Sequence, residues 1–403
     1  MQEPQSFRRS AAFFVLLVGM LAVQPFSTDF YLPTLPSLTQ ALRASPAAVT
    51  WTLSALVGTF GITQLFVGPL ADRYGRKPVA TAGYAIYLAG SLAAIFAPGI
   101  AWMIACRMLQ GLGMSCAFVV ARALIRDLYA PQDGARVMAH GLAWMGGVAL
   151  FGPFISGLLA SQFGWQAAFV ALSLYSAGMF ALCIAALPET AAHRNPQATR
   201  VGPLLANYAH ILRNPVFNGF NATSAFSYGG LFAFISGSAF VFLQRYGLSR
   251  AAYGLAFGAT VAGYLVGTVL CRHLLARWGM RRTLLIGGSV SLSCASVMAL
   301  GVVAGTPSML AVLLPQIGYM VAHGIVQPVS QAGCVGPFPR MAGAASALNG
   351  FSQMMTAVGV GALMSASFDG TARPMALTIF VAGIGVASAC AFMAWRPNLQ
   401  PGA

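Results

Sequence analysis

The chain has 403 residues, of which 58% are hydrophobic and 7% charged, and its mean hydropathy is +0.75. A soluble domain carries roughly 25% charged residues, so this composition excludes a fold whose main solvent is water. A formal net charge of +15 invites a nucleic-acid reading, but the placement of the basic residues points to membrane topology instead.

Uncharged stretches of about eighteen or more residues recur along the chain, each long enough to cross the ~30 Å hydrocarbon core as an α-helix. They are continuous rather than alternating, which favours helices over a barrel. Splitting them at turn residues and charges predicts twelve spans: 11–33, 48–70, 78–97, 101–124, 138–160, 166–187, 216–242, 252–272, 283–304, 309–333, 342–366 and 375–395. No small-residue cleavage pattern follows the first, so it reads as a span and not a signal peptide. With the N-terminus inside, Arg8, Arg9, Arg73, Arg76, Lys77, Arg126, Arg136, Arg194, Arg200, Arg213, Arg272, Arg277, Arg281, Arg282, Arg340 and Arg396 fall on cytoplasmic ends or loops. Only Arg43, Arg245, Arg250 and Arg373 fall outside. This positive-inside bias places both termini in the cytoplasm.

In chain order, the first span ends in "STDFYLPTLP", Ser27 to Pro36, which carries Asp29, one of only seven carboxylates. Pro25 and Pro33 flank Asp29 by four residues on each side and are expected to loosen its helix. Between the second and third spans lies "GPLADRYGRKP", Gly68 to Pro78, whose Gly68 and Pro69 suit a tight turn and whose Asp72, Arg73, Arg76 and Lys77 put charges at helix ends. Pro98 and Gly99 break the run before the fourth span. Arg107, in "RMLQGLGMS", then lies about seven residues inside the membrane, ~10 Å deep at 1.5 Å per residue. A charge at that depth is functional by default. Two fates are open to it: pairing with Asp29 across the first and fourth spans, or snorkelling to the outer surface. On the fifth span "GVALFGPFISG" repeats Gly147, Gly152 and Gly157 every five residues around Pro153, which suggests a packed, bent helix; ordinary helix packing is the alternative.

The longest polar interruption, 188–215, divides the spans six and six, giving an N-terminal bundle 1–187, a cytoplasmic linker and a C-terminal bundle 216–403. "DRYGRK" at Asp72 aligns with "ARWGMR" at Ala276, an offset of 204 residues that also superposes "ARVMAHG" at Ala135 on "PRMAGAA" at Pro339. A shared offset indicates a duplicated six-helix unit, two of which would enclose a central cavity near the midplane. The fold class expected is an all-α polytopic membrane protein with twelve transmembrane helices in two pseudo-symmetric six-helix bundles. The halves differ chemically: the second keeps one carboxylate, Asp369, in an external loop.

The second half has polar stripes instead. Gln316, Tyr319, His323 and Gln327 share one face of the tenth span at i, i+3, i+7 and i+11. Ser346, Asn349, Gln353 and Thr356 do so on the eleventh, and Asn221, Ser224 and Tyr228 on the seventh. Amides in lipid need partners, so these faces either line a cavity, the favoured reading, or bond helix to helix. Phe26, Tyr31, Gln110, Met114 and the aromatics Trp51, Phe118, Trp144, Phe226 and Phe232 are candidate cavity walls. The seven cysteines and five histidines show no metal-ligand spacing, so no metal or cofactor is expected.

Several of these stretches resemble a known family. "GPLADRYGRKP" resembles the signature loop of the major facilitator superfamily, "RMLQGLGMS" its fourth-span motif with a buried arginine, and "GVALFGPFISG" its antiporter motif, with Ser156 where glycine is usual. "STDFYLPTLP" and the "PET" at Pro188 to Thr190 are similar to the Bcr/CflA drug-resistance subfamily. The likeness implies a conformational latch in which Arg76 pairs with Asp127 and Asp72 faces the start of the eleventh span, where a helix N-terminus favours an anion.

The function expected is a bacterial inner-membrane exporter of small amphipathic drugs, uncharged or cationic, in exchange for protons. Its partners would be a small-molecule substrate, protons and the lipid bilayer, with no nucleic acid, and the chain would act as a monomer. Asp29 would carry the proton, burial favouring its protonated form and Arg107 its charged form. The rival reading is a transporter of a physiological solute such as a sugar or amino acid, which the tenth-span amides favour. A membrane enzyme or receptor would need a catalytic cluster or sensing domain that the sequence does not display.

Overall fold

The computed structural model describes residues 11–191, 195–305 and 308–395; Arg8, Arg9, Arg194, Arg396 and the side chain of Arg340 lie outside that description. Thirteen α-helices carry the described chain: α1 (Ala11–Thr28), α2 (Leu35–Ala41), α3 (Pro46–Tyr74), α4 (Arg76–Ile95), α5 (Ile100–Leu128), α6 (Pro131–Phe163), α7 (Gln166–Ala186), α8 (Val201–Leu212), α9 (Pro215–Phe240), α10 (Arg250–Val303), α11 (Leu310–Val335), α12 (Ala342–Ala366) and α13 (Arg373–Ala394). Ten stretches are long and apolar enough to cross a membrane. One of them, α10, is two spans merged across Gly279, whose φ of 71° is not helical. The twelfth span is α12, in which Asn349 and Gln353 lower the hydropathy without adding charge.

Local chemistry sets the helix ends. Ser45, Asn214 and Ser249 cap α3, α9 and α10 by accepting bonds from Ala48, Val216 and Ala252 N–H groups at 3.1, 2.9 and 3.2 Å. Pro46 and Pro215 occupy first-turn positions where an N–H would have no helical partner. Two expectations need correction. Gly68 and Pro69 lie inside α3, and the turn that follows is made by Gly75, at φ 106°. A carboxylate oxygen of Glu189 occupies the place a Cβ on Gly75 would take. The first span does not stop at residue 33 but runs as one apolar rod from Ala12 to Ala41, through a 3-10 segment, Asp29–Thr34. Asp29 therefore lies well inside the rod, about twelve residues or ~18 Å before its end at Ala41.

The chain divides into two compact units, Met1–Leu204 and Leu205–Ala403, with the boundary inside α8. That helix gives the linker a structure the sequence did not announce, with Tyr208 and Ile211 buried on one face. Within the first unit, Gly111 on α5 lies against the Leu56 carbonyl of α3, and Gly113 against Gly83 of α4. Within the second, Gly324 on α11 lies against Tyr264 and Gly267 of α10. The fourth span thus crosses the second, and the tenth the eighth, each through glycines that let the backbones approach closely.

The fifth-span glycines behave differently. A Cβ on Gly147 would meet nothing within 4 Å, and one on Gly152 only the Phe30 ring at 3.7 Å, so neither takes part in a close helix crossing within the first unit. Gly324→Ala should therefore destabilise by about 1–3 kcal/mol or more, since backbone atoms block the new methyl. Gly147→Ala should leave stability unchanged. Thermal unfolding of the two variants in detergent checks the contrast.

Candidate functional site

The first unit is organised around Arg107, which is fully buried on α5. Its Nη2 donates to the Ser27 carbonyl at 2.6 Å and its Nη1 to Gln110 Oε1 at 2.8 Å, while the guanidinium stacks 4.4 Å above the Tyr31 ring. Ser27 lies where the α ladder of α1 gives way to the 3-10 turn, so its carbonyl has a lone pair to offer. The supports continue outward. Gln110 Nε2 donates to Ser91 Oγ at 2.8 Å, the Tyr87 hydroxyl shares a 2.6 Å bond with Ser27 Oγ, and the Tyr31 hydroxyl shares one of 2.9 Å with Thr52 Oγ1. Helices α1, α3, α4 and α5 are thereby tied to one cation.

Neither expected fate of Arg107 is realised. It does not snorkel, and no ion pair within 4 Å joins it to Asp29; a backbone carbonyl two residues earlier takes the cation instead. Asp29 is 8% exposed and accepts a 2.7 Å bond from Thr28 Oγ1. Tyr31, Gln110 and Met114, expected on a cavity wall, have no exposed surface. Tyr31 and Gln110 hold Arg107. Phe26 is half-buried in a stack with Phe30 and Tyr175, at 5.2 and 4.9 Å between centroids.

In the second unit the stripes of three helices converge. Gln327 donates to Gln353 at 2.7 Å, Gln353 to Asn349 at 2.7 Å, Asn349 to Asn221 at 3.0 Å and Asn221 to Ser352 at 3.0 Å. Ser224 closes the other end by donating to Gln327 Oε1 at 3.3 Å. This head-to-tail chain stitches α9, α11 and α12 together with helix-to-helix hydrogen bonds. Each amide nitrogen in the chain spends one of its two hydrogens there, leaving a second for another acceptor. His323 Nδ1 shares a 2.7 Å bond with Ser227 Oγ, and its ring lies 5.5 Å from that of Tyr264. Tyr319 is fully buried, with its hydroxyl 3.4 Å from the Ser227 carbonyl, and Tyr228 is 8% exposed. Gln316 is fully buried and neither of its polar atoms meets a partner among the described residues. Phe226, expected on a wall, occupies the space beside Gly385 on α13.

At one end of the first unit Arg76 bridges two carboxylates, Asp72 at 2.7 Å and Asp127 at 2.9 Å. Arg73 donates to Thr199 at 2.5 Å, and the Asp72 carbonyl accepts from Asn195 N–H at 3.0 Å. The sequence reading missed Glu189, whose carboxylate accepts from the Arg76 N–H at 2.8 Å and so caps α4, where a helix N-terminus favours an anion. It also missed Arg122, a cation within α5 stacked 4.5 Å above the Phe118 ring. The signals were present: an acid two residues past the sixth span, and a second arginine inside the fourth. No cluster of metal-ligating residues occurs among the described residues.

Comparison with known proteins follows from this geometry. The family model for the Major Facilitator Superfamily matches residues 17–359. A bicyclomycin resistance protein homolog from Haemophilus influenzae is 26% identical over 382 residues, covering 92% of this chain and 94% of that protein. Multidrug resistance protein D from Escherichia coli is 29% identical over 364 residues, covering 89% of each. These relatives are consistent with the Bcr/CflA subfamily. Among solved structures, a D-xylose-proton symporter superposes with a TM-score of 0.72 at 16% identity, over 96% of this chain and 98% of that one, which speaks to fold alone. With twelve helical spans and a family match over most of its length, this chain belongs to the Major Facilitator Superfamily.

Proposed function

We propose that this protein exports small amphipathic drug-like molecules across the bacterial cytoplasmic membrane in exchange for protons, by alternating access. The observation that carries the reading is Asp29. It is the one carboxylate among the described residues that is buried, well inside a membrane-length apolar rod and two residues from the carbonyl that holds Arg107. A carboxyl group there can exist with or without its proton, and the Thr28 hydroxyl beside it can donate to the charged form. Cargo loading would favour proton release, and protonation from outside would favour cargo release. The relatives named for bicyclomycin and multidrug resistance support a drug as cargo. Arg76, Asp72 and Asp127 would act as the latch, and both termini would lie in the cytoplasm.

A second reading, transport of a polar physiological solute, is favoured by one observation. The amides Asn221, Gln327, Asn349 and Gln353 form a neutral, directional hydrogen-bond chain whose spare hydrogens suit a hydroxyl- or carbonyl-rich molecule. Susceptibility profiling of an overexpressing strain separates the two: a raised tolerance to any antimicrobial supports export, and an unchanged profile across the panel favours the solute.

In everted vesicles with an imposed pH gradient, wild-type protein should accumulate labelled drug about tenfold per pH unit for one-for-one exchange. Asp29→Asn should still bind drug but show no response to the gradient. Arg107→Lys keeps the charge yet cannot stack flat on Tyr31 while reaching both Ser27 and Gln110. Losing one such charged bond costs about 1.5–3 kcal/mol, so this variant should melt earlier in detergent and transport at least about tenfold more slowly.

A further inference from the structure

Thr28 makes two hydrogen bonds that one hydroxyl hydrogen cannot serve at once. Its Oγ1 lies 2.7 Å from Asp29 Oδ1 and 3.0 Å from the Gln24 carbonyl, and both partners are acceptors when Asp29 is charged. Neighbouring residues in an α-helix do not face each other. Thr28 can meet Asp29 because it is the last residue of α1, at φ −94° and ψ −60°, where the chain tightens into the 3-10 turn.

We propose that Thr28 is a positioning residue for the proton carrier, its hydroxyl switching between the Asp29 carboxylate and the Gln24 carbonyl according to whether Asp29 holds a proton. When Asp29 is charged, Thr28 donates to it and stabilises the anion. When a proton binds Asp29, the new carboxyl O–H can donate to Thr28 Oγ1, and the threonine hydrogen turns to Gln24. No heavy atom need move far, and no covalent bond forms or breaks except the carboxyl O–H itself. This inference rests on Asp29 being the proton site.

Among the described residues of the first unit, this hydroxyl is the hydrogen-bond donor found at the carboxylate. Helices α1 and α2 carry no charged residue. Helix α6, packed against the 3-10 segment, has Asp133, Arg136 and His140 in its first three turns and no charged group from Gly141 to Phe163. Helix α7 contributes no charge, and its Tyr175 donates to the Gly19 carbonyl at 2.6 Å. Arg107 on α5 is engaged by Ser27 and Gln110, and the hydroxyls of Tyr31 and Tyr87 by Thr52 and Ser27.

The test needs no cargo. Infrared titration of the purified full-length protein reads the protonated-carboxyl stretch of Asp29 as the band present in wild type and absent in Asp29→Asn. Thr28→Val keeps the shape and removes the donor, so its midpoint should move to higher pH by about one unit, a tenfold change in proton occupancy. Thr28→Ala should shift the same way and covers the case in which the valine variant does not fold. Thr28→Ser should titrate as wild type. A midpoint unchanged in Thr28→Val or Thr28→Ala, or a serine variant that shifts with them, overturns the switch while leaving Asp29 as carrier. If no titrating band separates wild type from Asp29→Asn, the proton site falls and the inference falls with it.

Discussion

Everything in the N-terminal unit depends on how one cation is kept in a low-dielectric interior. A guanidinium inside a bilayer must be solvated by the protein that buries it, and here the solvent is a backbone carbonyl, a glutamine oxygen and the face of a tyrosine ring. The carbonyl is available because the first span changes winding at Ser27. Pro33, which cannot donate into the ladder, sits within the 3-10 turn that follows. A backbone carbonyl has two lone pairs, and Arg107 takes one of those on Ser27. Asp29 takes no part in holding that cation and accepts a hydrogen bond from Thr28 instead.

The two units divide the chemistry unequally. The first buries a carboxylate and cations; the buried polar positions described in the second are neutral amides, hydroxyls and one histidine, His323. Amides joined head to tail are neutral at every pH, so the chain from Gln327 to Ser352 provides hydrogen-bonding capacity without a charge-burial cost. Gln316, buried with neither polar atom partnered, is the exception on that face, and such a group is costly unless another state of the protein supplies a partner. The charge cluster at Arg76 joins the second, third and fourth spans to the segment after the sixth through Asp72, Asp127 and Glu189. A rearrangement that frees one of these carboxylates leaves the others to re-pair.

Much of the architecture was legible because hydropathy reports solvent directly. The span limits from sequence differ from the helices mainly where helices extend past the hydrocarbon, as α6 does from Pro131. The first span was cut short because Pro33 and Pro36 read as an end, whereas each fits a first turn or a 3-10 winding without breaking the rod. Within the site, helical spacing revealed which faces were polar, but not what they touch. Arg107 announced itself through its cost in lipid. Its partner could not be read, because a backbone carbonyl carries no letter in the sequence. Glu189 was equally hidden: it lies 113 residues from the N–H it caps, and no local pattern links the two.

The central claim is that cargo and proton compete through Asp29. It is tested most directly by the protons that purified wild-type protein releases into weakly buffered detergent solution when a transported drug is added near the midpoint of the Asp29 titration. The account predicts a proton release that saturates with drug binding and is absent from Asp29→Asn at the same occupancy. Drug binding with no proton release in wild type, or an equal release from the asparagine variant, would contradict it.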